Sequence, residues 1–379
     1  MPETGNISGA RYDNILGTVG NTRLTKASSS MPIRCCRSGC NRDRGKRKGR
    51  WWEPDDMTML FIRKKLHHFY SVIAMMLPLF CLAAEAPSNT PLPWAYALNT
   101  PGIEDPFEYN VPHTVPGSDV EITFTLPRNL YAPPDWHSED HPAMPAIVSV
   151  GRNPGVFACG YCHLPNGQGR PENASLTGLP REYIIQQMAD WRAGLRNTSE
   201  PLHGPATNMR AIGVNATPAE VEMAADYFSS LQPKKWITVI ETNSVPETVV
   251  AGWMYVDAGT GRNEAIGNRI FEMPVDLELT ELRDDRSGFI AYVPPGSVAT
   301  GERLVTAANC RTCHGEELRG LGPVPGLAGR SPSYIARQLY DLQVGNRRGL
   351  WSPLMQDAVS DLELEDIVAL SAYLSSLDP

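Results

Sequence analysis

The sequence predicts a mainly α protein built on two helical domains, and three observations carry that reading. A five-residue pattern occurs twice, as Cys159-Gly160-Tyr161-Cys162-His163 and as Cys310-Arg311-Thr312-Cys313-His314. The stretches after the two copies answer one another piece by piece, with apolar residues at helical spacing. Elsewhere the chain changes character: residues 85–145 are rich in proline and residues 234–298 are β-prone. The helical domains are therefore expected at 146–233 and 299–379, with an extended arm before the first and a small β element bridging the two.

The repeated pattern C-x-x-C-H is, in an exported chain, the attachment signature of c-type haem. Two thiols three residues apart can each bond one vinyl group of the same porphyrin, and the adjacent histidine then lies under the iron. This makes Cys159, Cys162, Cys310 and Cys313 the attachment residues, and His163 and His314 the proximal ligands. A zinc ribbon holds its two Cys pairs about 15–20 residues apart, whereas 147 residues separate Cys162 from Cys310. A redox pair or a disulfide has no use for a histidine directly after both second cysteines.

The chain of 379 residues has room for two or three domains, but its start reads as something else. Residues 1–56 are basic and poor in apolar content, with the run Arg42-Asp43-Arg44-Gly45-Lys46-Arg47-Lys48-Gly49-Arg50, so this extension is expected to stay solvated or untranslated. Residues 57–84 carry the parts of a secretory signal: Arg63-Lys64-Lys65, an apolar run of 13 residues from Tyr70 to Leu82, and Ala83-Ala84. The run falls short of the ~20 residues that span a bilayer. Translation is expected to begin at Met57 or Met59. Cys35, Cys36 and Cys40 then lie outside the product and Cys81 leaves with the signal. The exported chain keeps only the four motif cysteines, begins near Glu85, has no spanning segment and belongs in the periplasm.

Charge separates in the same way. Residues 1–56 hold eleven basic and six acidic side chains, and residues 57–84 hold three basic and none acidic. The remainder is at −16, against −8 for the whole sequence. Such an acidic surface argues against nucleic acid and anionic membranes and suits a carrier meeting basic partner patches.

Within the arm, Val120 to Leu126 alternates well enough for one strand. His137 and His141 have a spacing that could bind a metal, though prolines flank them as they flank loop residues. After the first motif, Arg181 to Leu195 reads as a helix burying Ile184, Met188, Trp191 and Leu195. Met188 is read as packing. Met209 sits in Gly204 to Arg210, read as an irregular stretch from which a thioether could cross a porphyrin. Thr217-Pro218-Ala219-Glu220 opens a helix with a capping box. In the insert, Trp236 to Ile240, Val249 to Val256 and Gly288 to Val293 read as strands. In the second copy Met355 answers Met209, and a terminal helix is expected from Asp361 to Leu377, with Ile367, Leu370 and Leu374 inward.

Each unit resembles a class I cytochrome c domain, and the tandem resembles the dihaem cytochromes of the c4 and c553 kind. In the second unit the matching residues are Cys310-x-x-Cys313-His314, Leu318 to Pro323, Pro332 to Ile335, Gln338-Leu339, Met355 and Ala369 to Leu374. In the first they are Cys162 to Gly169. The resemblance implies two covalently bound haem c groups, with Met209 and Met355 as distal ligands opposite His163 and His314. Where the family starts its last helix with Leu-Ser, this chain has Leu362-Glu363, which leaves Ser360 to cap through Ser360-x-x-Glu363. The arm and the insert fall outside the compact tandem pattern.

Two irons closed by His and Met imply single-electron transfer between a redox donor and acceptor, such as a dehydrogenase or a membrane oxidase, with no bond-making catalysis. One rival is an electron-accepting subunit docked to a periplasmic dehydrogenase, with the arm and insert as extra surface. The other is a dihaem peroxidase-type enzyme, in which His203 or His113 would serve as alternative ligand or acid/base.

Overall fold

The architecture is a computed structural model that describes residues 91–103, 107–126 and 128–379; the extension and the signal segment expected at 1–56 and 57–84 lie outside the described residues. Among the described residues no helix is long and apolar enough to cross a membrane. The fold is mainly helical, as expected, with the strands concentrated in the insert.

The arm makes one short antiparallel pair, β1 (Pro112–His113) with β2 (Ile122–Thr123). The strand expected over Val120 to Leu126 contracts to two residues, since Val120 and Leu126 are both exposed and have nothing to pack on. Long-range contacts hold the arm instead. Trp136 is buried and donates its indole N–H to the Leu282 carbonyl at 2.8 Å. Arg128 pairs with Glu281 at 2.9 Å. At the other end Leu92, Trp94 and Tyr96 pack with Ile367, Val368 and Ala372. The arm therefore spans from the insert to the last helix of the second copy.

Helices α1 (Ala146–Ser149), α2 (Cys159–His163), α3 (Arg181–Arg192), α4 (Gly204–Asn215) and α5 (Pro218–Ser230) form the first unit. Helix α3 buries Ile184 and Trp191 but ends at Arg192, because Gly194 takes a left-handed φ of 67° just past it. Leu195 is exposed as a result.

The stretch holding Met209 is not irregular: it lies inside α4. Pro205 stands in the first turn, where a missing N–H costs nothing. Gly213 marks a close helix crossing: a Cβ there would lie 2.5 Å from the Trp191 Cβ.

Helix α5 begins with the expected capping box. The Glu220 carboxylate also accepts from Arg152 Nε at 2.7 Å. Arg152 holds the Glu220 carboxyl down at about 2 against the opposing pull of burial. A depressed carboxyl contributes stability above its unfolded value of ~4.3 and loses it as pH falls toward the folded one. Thermal midpoints of the parent and Glu220→Gln are thus expected to differ at pH 6 and to converge between pH 4.5 and 2. Thr217→Ala should cost about 1 kcal/mol at any pH.

In the insert, β3 (Ile237–Glu241) pairs parallel with β9 (Phe289–Val293), which pairs antiparallel with β8 (Phe271–Pro274). The run from Val249 to Val256 is a hairpin, β5 (Thr248–Ala251) and β6 (Met254–Asp257), turning at Gly252-Trp253 with φ of 57° and 67°. β4 (Ser244–Pro246) pairs with β7 (Asn263–Ala265), and α6 (Leu277–Glu281) leads into β9. Ile237, Met254, Phe289 and Ala291 make a small core.

The second unit holds α7 (Ser297–Ala307), α8 (Cys310–His314), α9 (Pro332–Gln343), α10 (Ser352–Val359) and α11 (Leu364–Ser376). Ile367, Leu370 and Leu374 are buried as expected, each contributing about 1.5–3 kcal/mol by leaving water. Ser360 does not cap α11. It follows α10 directly and donates to the Asp357 carbonyl, while Glu363 is the N-cap and shares a capping box with Asp366. Glu363 thus stands where the family pattern places serine and does the same work with a longer side chain.

Candidate haem sites

Both motifs fold alike because the residues after them repeat. The backbone N–H of Gly169 donates to the His163 carbonyl at 2.9 Å, and that of Gly320 donates to His314 at 2.8 Å. These turns bring a carbonyl over each ring. His163 Nδ1 lies 2.8 Å from the Ala174 oxygen and His314 Nδ1 lies 2.8 Å from the Pro325 oxygen. A carbonyl only accepts, so Nδ1 carries the proton and Nε2 keeps its lone pair for a metal. Burial pushes His163 down to about 4 and lowers His314 as well, so both rings are neutral. Two neutral imidazoles with fixed tautomers are what iron ligation needs.

In the first unit one cavity is lined by Cys159, Cys162, His163 and Met209 together. Its walls are apolar: Ile147, Ile184, Ile212 and Phe228 contribute from α1, α3, α4 and α5, and Val156 and Leu179 from the loops between them. Pro205, Ala206, Met209 and Ile212 reach the cavity from one face of α4, the i, i+3, i+4 geometry of a helix. Met188 also lines it. The cysteines form no disulfide, and burial pushes the Cys159 thiol up to about 12, which keeps it from acting as a thiolate ligand.

His203 lines the same cavity, buried between the Tyr96 and Trp253 rings, and its Nε2 has no hydrogen-bond partner. His113 is elsewhere: it stacks on Phe107 in the arm and bonds the Glu108 carbonyl. The acid/base role considered for His113 fails on that placement.

The far end of the cavity is polar, and sequence reasoning missed it. Arg196, Tyr334, Arg337 and Gln338 line it. Arg196 donates to Gln187 at 3.0 Å, to Tyr334 at 2.9 Å and to Gln338 at 3.1 Å. Arg347 mirrors it, donating to Gln338 at 3.2 Å, to Tyr183 at 3.3 Å and to Gln187 at 2.8 Å. The two arginines form an antiparallel bridge at the centre of this pseudo-twofold joint between the copies. Their hydrogen-bond partners are neutral oxygens. Arg330, buried close by, donates to Ser175 and Thr177, and burial pulls it down to about 10. Asp341 lines the same end and offsets part of this charge, and the buried guanidinium groups held by neutral oxygens leave room for a further anion. An apolar slot with thiols and an imidazole at one end and such cations at the other fits a porphyrin bearing two propionates. The signal was present as Arg196 and Arg347, each 33 residues after its motif histidine.

In the second unit Cys310 packs with Val305, Leu318, Ile335 and Leu370, His314 is buried, and Cys313 is exposed. Met355 is half-buried on α10, where the first copy has Met209 on α4.

Comparison with known proteins agrees with this arrangement. The family model described as Cytochrome c matches residues 298–378. Cytochrome c-554(548) of Halomonas halodenitrificans is 35% identical over 82 residues, 21% of this chain and 96% of the relative. Cytochrome c4 of Azotobacter vinelandii is 23% identical over 242 residues, 62% of this chain and 91% of the relative. A thiosulfate dehydrogenase electron acceptor of Thiomonas intermedia is 25% identical over 207 residues, 52% of this chain and 67% of the relative. With two motifs of matching geometry and a relative matched over nearly its whole length, the chain belongs to the cytochrome c family.

Proposed function

We propose that the chain is a periplasmic dihaem cytochrome that carries single electrons between redox partner proteins. Its haem units are 146–233 and 299–379, attached through Cys159 and Cys162 and through Cys310 and Cys313. His163 with Met209, and His314 with Met355, ligate the two irons. The observation that carries this reading is the meeting of both thiols, the oriented imidazole and Met209 on one apolar cavity.

Bound haem supplies a one-electron couple at its iron. The chain's residues do the rest. The Ala174 and Pro325 carbonyls hold the rings in place. The packed faces of α3, α4 and α5 exclude water and change little between oxidation states. Arg196 and Arg347, shared between the copies, place positive charge at the joint where an electron passes from one unit to the other.

The arm and the insert favour a second reading, a cytochrome subunit docked to a dehydrogenase, because they add surface with no part in the haem pocket; the electron-acceptor relative supports it. A peroxidase-type activity rests on His203 alone. Protein matured with its haem machinery is expected to hold two irons and two covalent haems per chain by mass and metal analysis, and its reduced spectrum should not respond to carbon monoxide. One haem per chain would overturn the dihaem assignment. A carbon monoxide response would move the reading toward an enzyme, and co-purification of a dehydrogenase would favour the subunit.

A further inference from the structure

His137 of the arm does not pair with His141 as the sequence spacing suggested. His141 turns to Asp135 and to the Pro142 carbonyl. His137 turns to the loop after α6, where Asp284 and Asp285 lie, and a ring nitrogen of His137 and one oxygen from each carboxylate lie within 4.8 Å of one another. All three are buried, with exposures of 0, 4 and 3%. His137 Nε2 is 3.0 Å from Asp284 Oδ1. Beyond that pair, His137 Nδ1 and Asp285 Oδ1 are buried with no hydrogen-bond partner.

His141 acts on Asp285 by charge, but the longer cations turn away. Arg286 directs its side chain to Asp140 and Glu139, and Lys234 turns to Asp140. Asp284 Oδ1 also accepts from the Arg286 backbone N–H at 3.0 Å, but a buried carboxylate with an unpaired oxygen, as in Asp285, is costly. One imidazole and two carboxylates form a donor set suited to a borderline divalent cation such as zinc.

We propose that His137, Asp284 and Asp285 form a divalent-cation site, of the zinc class, that pins the arm to the insert. It lies apart from the haem cavity, yet Asn166, three residues after His163, donates to the Asp285 carbonyl. A cation here stiffens the loop on the proximal side of the first haem unit and adds counter-charge to its ligands. Binding to the folded chain alone raises stability by mass action.

The test uses the haem-loaded full chain, stripped with a chelator, desalted and titrated with zinc chloride or calcium chloride. One zinc per chain above the haem iron is expected to survive a second desalting, with a raised thermal midpoint. Asp285→Asn and His137→Gln should each weaken zinc binding at least tenfold while the haem spectrum stays as in the parent. His137→Gln can still donate to Asp284, which guards against simple loss of fold. His141→Gln should bind as the parent does. Substoichiometric zinc, unchanged binding in Asp285→Asn, equal loss in His141→Gln, or preference for calcium would each overturn the proposal. The first of these would leave His137 held by side-chain contacts alone, to Asp284 at 3.0 Å and to Glu139 at 3.8 Å.

Discussion

Met209→Leu is expected to abolish about half of the weak red-end absorption that marks methionine bound to ferric iron, and Met355→Leu the other half, with nothing left in the double variant. Leucine and methionine are close in volume, so the exchange costs under about 1.5 kcal/mol in packing and leaves a fold that can report on ligation. Thioether opposite imidazole favours reduced iron. Each single variant should therefore lower the potential of one haem only, by a share of the ~0.8 V over which axial ligands set such potentials. Met188→Leu is the control, since Met188 lines the same cavity from α3. If the band persists in Met209→Leu, the distal ligand is Met188 or His203 instead. Spectra of Met209→Leu with each of those residues also replaced would tell the two apart.

Those methionines were legible because the repeat preserves spacing: 50 residues from Cys159 to Met209 and 45 from Cys310 to Met355. What spacing cannot convey is the element that delivers them. Gly204, Pro205, Thr207 and Asn208 read as loop residues one by one, yet Pro205 occupies the first turn of a helix that packs on Trp191 at Gly213, so packing overrides propensity. The buried arginines were hidden for another reason. Charged residues default to the surface, and only the fold reveals that Arg196 and Arg347 meet across the joint. In the insert the strand segments were readable from composition, but the parallel pairing of Ile237 with Phe289 was not. Pairings that close so long a loop leave no local trace.

Gly301→Ala is expected to destabilise the protein by about 1–3 kcal/mol, the usual cost of overpacking, with the loss centred on the second haem unit. Gly301 lies where α7 crosses α11. A Cβ there would run into the Ala369 carbonyl oxygen and lie 2.6 Å from the Tyr373 Cβ. Backbone on one side and a buried ring stem on the other cannot yield as a flexible chain end would, so the helices must part. Two consequences follow along the chain. Val305, one turn further on α7, packs with Leu318, Ile335 and Leu370 around Cys310. Tyr373 accepts a hydrogen bond from Arg311, inside the second motif, at 3.0 Å. Parting the helices therefore loosens the wall behind Cys310 and the anchor on Arg311 together. In the first unit the leading helix α1 is only four residues long, and the close glycine crossing lies instead between α4 and α3, at Gly213. Thermal unfolding followed at haem absorption should show a lowered midpoint, and potentiometry should show one shifted couple and one unchanged. Equal disturbance of both couples would mean that the joint through Arg196 and Arg347 binds the two copies into a single cooperative unit, a stronger coupling than separate haem pockets require.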